Sequence, residues 1–358
     1  MALDLDYRTA EIVSEHLGGR PNLGNITLRQ AIGIYTAEKI AETVNYAKAN
    51  SKFYAEKLAD YEGNGVEGWT DIPFTTMDEL RERGMDFLCV RPSEISRIVT
   101  MDTSGTTGNP KRIYFTEEDQ ELTRDFFHHG MKLIVDETDV VLILMPSESD
   151  GSIGKLLAEG LARSGVRAIG YGIPGKKESE KILQLIRDEG VTSIVAAPTH
   201  MVALAREAQK QAERGAEEIY LRSVLLSAEF VPNKTVMMLE EVFQCMVFEH
   251  YGMTEMGLGC AVSCGYGKGY HIREADIFIE LINPITGEVV KGESPKTPGY
   301  SNFGEIVFTT LTRKGMPFIR YRTGDFSRWI LDECPCGSQL KRLDKVYPAD
   351  DREQPAGR

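Results

Sequence analysis

Hydrophobic and polar residues follow three different patterns along the 358-residue chain. Over the first hundred residues, as in residues 34–61, apolar side chains recur every three or four positions, which predicts helices. In residues 139–252, short apolar runs alternate with helix-length segments, a pattern typical of parallel strands joined by helices. After Gly257, glycine-rich loops separate short apolar runs, which predicts antiparallel strands.

These patterns predict an α/β fold, with mostly parallel sheets covered by helices and a smaller antiparallel β lobe. The predicted divisions are a helical part at residues 1–100, an α/β core at 101–258, a β lobe at 259–346 and a tail at 347–358. Ligands of parallel sheets bind beyond the carboxyl ends of the strands, so the loops that follow the strands should line one crevice. These loops are residues 146–154, 198–200, 227–230 and 251–255.

The charge balance narrows the class of ligand. A formal net charge of -13 and a pI near 5.1 leave no broad basic surface for nucleic acid or an anionic membrane. The N-terminus lacks the features of a signal peptide, and no apolar run approaches the roughly 18 residues of a membrane helix. We therefore expect a cytoplasmic protein that acts on small molecules.

A string of small polar residues, TSGTTGNPK, occupies positions 103 to 111. Glycines let backbone N–H groups approach a ligand closely, hydroxyl groups add donors, and Lys111 adds a positive charge. This combination favours a polyphosphate ligand, although the spacing differs from that of a P-loop. A flexible surface loop is the alternative interpretation of the same composition.

The string resembles the phosphate-loop signature of the adenylate-forming superfamily, which includes acyl-CoA synthetases, peptide-synthetase adenylation domains and luciferases. Four further matches follow in the superfamily's order: SAE at 227–229, YGMTE at 251–255, GEIV at 304–307 and YRTGD at 321–325. The resemblance implies that ATP activates a carboxylic acid as an acyl adenylate, with release of pyrophosphate. Coenzyme A or another acceptor would then take the acyl group.

The resemblance also implies roles for individual residues. Lys111 and Glu255 would carry the catalysis, with Glu255 holding Mg²⁺, and Asp325 would bind the ribose unless it is only a turn residue. The other nucleotide-binding positions are Thr103, Ser104, Gly105, Thr106, Thr107, Gly108, Ser227, Ala228, Glu229, Glu249, Tyr251, Gly252, Met253 and Thr254. The acid pocket would include Ser147, Asp150, Ser152, His200 and Met256. For His200, and for His250, a structural role is an equal alternative.

Four of the six cysteines cluster in the predicted β lobe and its edge. Cys264, His271, Cys334 and Cys336 offer three thiolates and an imidazole, which suits a closed structural zinc site. Cys260 is the rival ligand to Cys264, and scattered free thiols are the alternative to any site. Phenylacetate-CoA ligases carry a similar arrangement, so the resemblance sharpens toward that branch. Cys89 and Cys245 lie in apolar contexts and are predicted to be buried thiols.

Two departures from the family bear on activity. The likeness runs from about Thr103 to Cys336, and relatives continue into a small mobile domain that carries a catalytic lysine. We expect this lid to be absent, so a second protein would supply the lid or accept the acyl group, and a homodimer is a further option. The second departure is Arg112, where many relatives have glycine. A non-catalytic nucleotide-binding partner and, more remotely, a zinc hydrolase are the competing functions.

Overall fold

The computed structural model describes residues 3–18, 26–63, 68–101, 110–290 and 303–348. The first four helices are α1 (Asp4–Leu17), α2 (Leu28–Asn50), α3 (Lys52–Lys57) and α4 (Met77–Arg83). Thr27 starts α2 with a reciprocal cap, because its side chain accepts from the Gln30 N–H while the Gln30 side chain accepts from the Thr27 N–H. None of the helices in the described residues is both long and apolar enough to cross a membrane.

A five-stranded parallel sheet forms the centre of the fold. Its strands are β3 (Val140–Leu144), β4 (Arg167–Gly170), β5 (Ser193–Ala196), β6 (Ser223–Leu226) and β7 (Met246–Tyr251), in the spatial order β4-β3-β5-β6-β7. The helices between and beside them are α5 (Glu117–Met131), α6 (Ile153–Ala162), α7 (Ser179–Glu189), α8 (Pro198–Glu213) and α9 (Asn233–Phe243). Successive residues of β3 enter different cores: Val141 belongs to one buried cluster and Leu142 to the other. Both faces of the sheet are therefore covered, as the near-continuous apolar runs predict.

The antiparallel strands continue the same sheet beyond β7. They are β8 (Ala261–Val262), β9 (Tyr270–Ile272), β13 (Arg342–Leu343), β12 (Tyr321–Ile330), β11 (Phe303–Thr310) and β10 (Ile277–Ile282), in this spatial order. The result is one eleven-stranded sheet, in which β7 pairs with β6 in parallel and with β8 in antiparallel. The predicted α/β fold with an antiparallel β part is confirmed.

A separate hairpin of β1 (Arg97–Met101) and β2 (Lys111–Phe115) precedes α5. The two strands pair from Arg97 with Phe115 to Met101 with Lys111, so the ends of the predicted phosphate loop are held side by side. Helix α2 anchors the N-terminal part to the antiparallel strands, because the Tyr35 hydroxyl donates to the carbonyl of Ala275 at 2.7 Å.

Candidate active site

The structure describes the residues on either side of the predicted phosphate loop. Thr103, Ser104, Gly105, Thr106, Thr107 and Gly108 lie outside the described residues, so their predicted roles stay predictions. Lys111 begins β2 directly after the loop, and its side chain is mostly buried. The hairpin therefore fixes the position of Lys111, the single lysine of the predicted loop.

Lys111 forms an ion pair with Glu255, whose side chain is only 1% exposed. Glu255 lies in a 3₁₀ turn, Thr254–Met256, that follows β7. The Tyr321 hydroxyl donates to Glu255 Oε1 at 3.1 Å, and Arg313 Nη1 donates to the Glu255 carbonyl at 2.8 Å. Since a buried charge is tolerated only when it is paired, Lys111 and Glu255 hold each other in place at the end of the parallel sheet.

Tyr251 and Asp325 form a second polar contact beside this ion pair. The Tyr251 hydroxyl donates to Asp325 Oδ2 at 3.0 Å. Burial, and then the negative charges of Glu255 and Glu305, raise the pKa of Asp325 to about 6. The pairing of β11 with β12 is irregular between Glu305 and Val307, opposite the segment of β12 that carries Asp325. Asp325 is thus a half-buried acceptor, which suits a partner with hydroxyl donors.

The SAE segment follows β6. Ala228 has a left-handed backbone with φ of 72°, an unusual conformation for a residue with a side chain. Glu229 accepts from the Thr199 N–H at 3.2 Å and from its hydroxyl at 2.9 Å. Its carboxylate therefore caps the start of α8, and its predicted adenine contact remains untested.

Other predicted nucleotide positions surround the end of β7. The Tyr270 hydroxyl donates to Glu249 at 2.7 Å, and Ser227 Oγ lies 2.8 Å from His250 Nδ1. Gly252 must be glycine, because a Cβ there would lie 2.8 Å from the backbone of Gly259. Met253 and Thr254 begin the next turn. The Met256 N–H donates to the Met253 carbonyl, and the Gly257 N–H donates to the Thr254 carbonyl.

A narrow apolar cavity of about 30 Å³ lies between α5, α6 and the parallel strands. Its lining comprises Phe126, Phe127, Gly130, Met131, Met145, Ile153, Leu157, Val195, Leu225, Ser227, His250 and Val262. Sequence reasoning missed the four α5 residues of this wall, although the apolar stripe FFHHGM was a readable signal.

The five residues predicted to contact the acid lie elsewhere around this edge. Asp150 is exposed and paired with Lys155, and Ser147 Oγ donates to the Met145 carbonyl at 2.7 Å. Ser152 is buried at the start of α6, Met256 is buried in the turn after β7, and His200 lies in the first turn of α8. Other residues line the cavity described above. The contacts of these five residues with an acid therefore stay predictions.

His250 is the main polar group of the cavity wall. Burial, helped by the positive charge of Arg273, lowers the pKa of His250 to about 4. The imidazole is therefore neutral near pH 7, and its bond with Ser227 fixes the ring. The wall offers a hydrogen-bonding group without a charge.

The predicted cysteine cluster is assembled from three segments. Cys264 follows β8, His271 lies in β9, and Cys334 and Cys336 precede β13; all four are buried, and their ligand atoms lie within 4.8 Å of one another. The Sγ atoms of Cys264 and Cys334 are 3.5 Å apart, as are Cys336 Sγ and His271 Nε2. The group of four formed in the described residues excludes Cys260, a buried thiol whose pKa burial raises to about 12.

Comparison with known proteins agrees with this geometry. Residues 38–307, more than half of the chain, match the family of AMP-binding enzymes. The chain is 28% identical over 314 residues to the phenylacetate-coenzyme A ligase of Pseudomonas putida, covering 84% of this chain and 67% of that protein. It is 27% identical over 335 residues to the phenylacetate-coenzyme A ligase of Thermus thermophilus, covering 90% and 71%.

A solved structure of 2-hydroxyisobutyryl-CoA ligase, in complex with 2-HIB-AMP and CoA, has a similar fold. The TM-score is 0.77 at 21% identity, over 90% of this chain and 69% of that one. The predicted fold, the predicted resemblance and the predicted enzyme class, an AMP-forming acid ligase, are confirmed. The chain belongs to the family of AMP-binding enzymes.

Proposed function

We propose that this enzyme activates a small apolar monocarboxylic acid, most simply an aromatic one, as its acyl adenylate. A carboxylate oxygen of the acid attacks the α-phosphorus of ATP, the bond between the α and β phosphates breaks, and pyrophosphate leaves. The observation that carries the proposal is the buried Lys111–Glu255 ion pair, which follows the predicted phosphate loop and neighbours the Tyr251–Asp325 contact.

The reaction brings two anions together, so positioning and charge neutralisation dominate the catalysis. Lys111 would face the phosphates with its positive charge, and Asp325 would accept hydrogen bonds from the ribose. The Tyr251 hydroxyl donates a hydrogen bond to Asp325, and this bond fixes the ring where adenine would stack. Glu255 offers a hard, buried carboxylate and would hold Mg²⁺, which supplies neutralisation of phosphate charge when bound.

The cavity beside α5 supports the choice of acid. Phe126, Phe127 and Met131 present apolar surface, which favours an aromatic or compact aliphatic body. Because the cavity measures only about 30 Å³, these side chains would move apart to admit such an acid. His250 is uncharged near neutral pH because its pKa is lowered to about 4, so the cavity wall lacks a counter-ion for a second carboxylate. An acid with one carboxylate is therefore favoured over a dicarboxylate.

The similarity to phenylacetate-coenzyme A ligases supports coenzyme A as the acceptor in the second half-reaction. We also assign structural zinc to Cys264, His271, Cys334 and Cys336. Neighbouring sulfur atoms around a tetrahedral zinc lie about 3.8 Å apart, given Zn–S bonds of about 2.3 Å, close to the 3.5 Å between the Sγ atoms of Cys264 and Cys334. The ion would join three segments of the antiparallel sheet.

The test is exchange of labelled pyrophosphate into ATP, measured with phenylacetate, benzoate, short aliphatic acids and a dicarboxylate. Exchange should depend on a monocarboxylate and should be lost in Lys111→Met. Lys176→Met, which removes an exposed lysine, is the matched control and should retain it. Absence of exchange with every acid, while ATP still binds in calorimetry, would contradict the proposal and support a non-catalytic nucleotide-binding partner.

A further inference from the structure

A second cleft lies between α2 and the antiparallel strands. Its volume is about 300 Å³, at the lower end of the roughly 300–1,000 Å³ typical of small-molecule sites. Ile272, Ile277 and Ile279 line it from the sheet, and the helix contributes Gly33 and Ala37. The cleft and the cavity beside α5 share no lining residue, so the cleft is a separate feature.

Aromatic rings form much of the cleft wall. The chain has only two tryptophans, Trp69 and Trp329, and both line the cleft together with Phe278. The rings of Trp69 and Phe278 meet edge to face, with centroids 5.7 Å apart. Both tryptophans are only partly buried, so ring surface remains for a planar ligand.

The charged groups of the cleft leave one cation in excess. Arg29 binds Glu274 through both terminal nitrogens, with Nη2 to Oε1 at 2.8 Å, and Glu274 Oε2 also accepts from the Lys341 N–H at 2.8 Å. The Lys341 ammonium lies 5.5 Å from the centre of the Trp329 ring. Across the described ranges, no carboxylate oxygen lies within 4.0 Å of that ammonium. The cleft therefore carries a net positive charge beside an aromatic surface.

Gly33 keeps the cleft open from the helix side. It lies in the interior of α2, where glycine costs about 1 kcal/mol relative to alanine. A Cβ at this position would meet no atom within 4 Å, and the φ of Gly33 is not positive. Neither packing nor backbone conformation requires glycine here, but a larger side chain would project into the cleft.

We propose that this cleft binds a small aromatic monocarboxylate as a second ligand, apart from the catalytic centre. The ring would pack between the tryptophans, and the carboxylate would pair with Lys341. A single negative charge matches the single unpaired cation, and an aromatic body matches the wall. The proposal does not rest on the proposed function, because it concerns binding at a different place.

Intrinsic fluorescence reports directly on the cleft, because both tryptophans line it. Titration of the full chain with benzoate should give a saturable change, whereas benzamide, its uncharged counterpart, should bind more weakly. Lys341→Met should weaken benzoate binding about fivefold, as expected for an exposed charge pair. A change that does not saturate, or equal binding of benzoate and benzamide, would overturn the proposal.

Two matched glycine substitutions separate the cleft from the cavity beside α5. Gly33→Leu fills the cleft and should abolish the fluorescence response, whereas Gly33→Ala should retain it. Gly130→Leu fills the other cavity, where a Cβ would lie 3.9 Å from Phe126 and Val262, and should also retain it. Circular dichroism checks that each variant folds. A response that survives Gly33→Leu, or disappears in Gly130→Leu, would assign the signal elsewhere and refute the second site.

Discussion

Replacing Asp325 with asparagine should stabilise the folded protein while weakening nucleotide binding. Burial raises the pKa of this carboxyl from 3.8 to about 6, so ionising it in the folded state is unfavourable. Asparagine keeps the size of the side chain and can still accept the hydrogen bond from Tyr251. The substitution therefore removes a costly charge without opening a cavity.

The sign and size of the effect follow from proton linkage. The folded state of Asp325 holds its proton more tightly than the unfolded state, so the wild type loses stability as pH rises from about 4 to about 6. The loss reaches about 3 kcal/mol at pH 7 and is about 1.6 kcal/mol at pH 5. For a chain of this length, the gain in Asp325→Asn at pH 7 corresponds to a rise in Tm of about 4 °C.

Thermal unfolding of wild type and Asp325→Asn, followed by circular dichroism at pH 5 and pH 7, measures the effect. Asp332→Asn, an exposed substitution just beyond the same strand, is the control and should leave Tm nearly unchanged. Added ATP should raise the Tm of the wild type more than that of Asp325→Asn. The reasoning is refuted if Asp325→Asn is no more stable than wild type at pH 7, or if its advantage is equal at both pH values.

The remaining predictions concern three other contacts. Glu255→Gln leaves the Lys111 ammonium unpaired in a buried place, so pyrophosphate exchange should fall at least about a hundredfold and the protein should lose about 3 kcal/mol. Burial opposes the charge of His129, but hydrogen bonds to Asp125 and Asp4 raise its pKa above the ordinary value. These contacts therefore stabilise the fold fully below about pH 6.5 and less at higher pH. His129→Gln should accordingly destabilise the protein at low pH more than at high pH. Cys334→Ser should lower bound zinc, measured by elemental analysis, from one ion per chain and should lower Tm.

Each of these predictions has a control variant or an outcome that would contradict it. Glu118→Gln changes an exposed carboxylate and should keep full exchange activity. For His129, equal destabilisation at pH 5.5 and pH 9 would contradict the assigned pKa shift. Cys245→Ser alters a buried thiol outside the cluster and should leave the zinc content unchanged. A metal-free wild type with the same Tm would exclude the structural zinc.

Much of the fold could be predicted from the sequence, because periodicity directly reflects burial. The apolar run ending in Leu144 became a strand buried on both faces, and the resemblance at residues 251–255 and 321–325 identified Tyr251, Glu255 and Asp325, whose side chains lie close together. The four residues of the predicted cysteine cluster are neighbours in the structure, and thiol chemistry gave a reason to look for partners across a gap of 60 residues or more.

The cavity wall could not be predicted in the same way. Phe126 and Phe127 occupy a helix face whose pattern fits ordinary packing, and only tertiary structure shows that this face leaves a gap against Val262. Polar loop residues such as Asp150 attracted attention through their chemistry, but a neighbouring lysine pairs with this carboxylate in solvent. A sequence shows which side chains are chemically reactive, but it does not show as easily which apolar surfaces stay uncovered in the fold.

The double pairing of β7 limits how the polypeptide can be divided into fragments. A fragment ending at residue 258 would remove β8, leaving His250 and Tyr251 without their partners Val262 and Ala261. The edge of a central strand would then be exposed to other chains, a common origin of aggregation. The boundary near Gly257, where the sequence pattern changes, is therefore a poor end point for an expressed fragment. Fragment complementation should instead be tried at surface turns far from the pairing of β7 with β8.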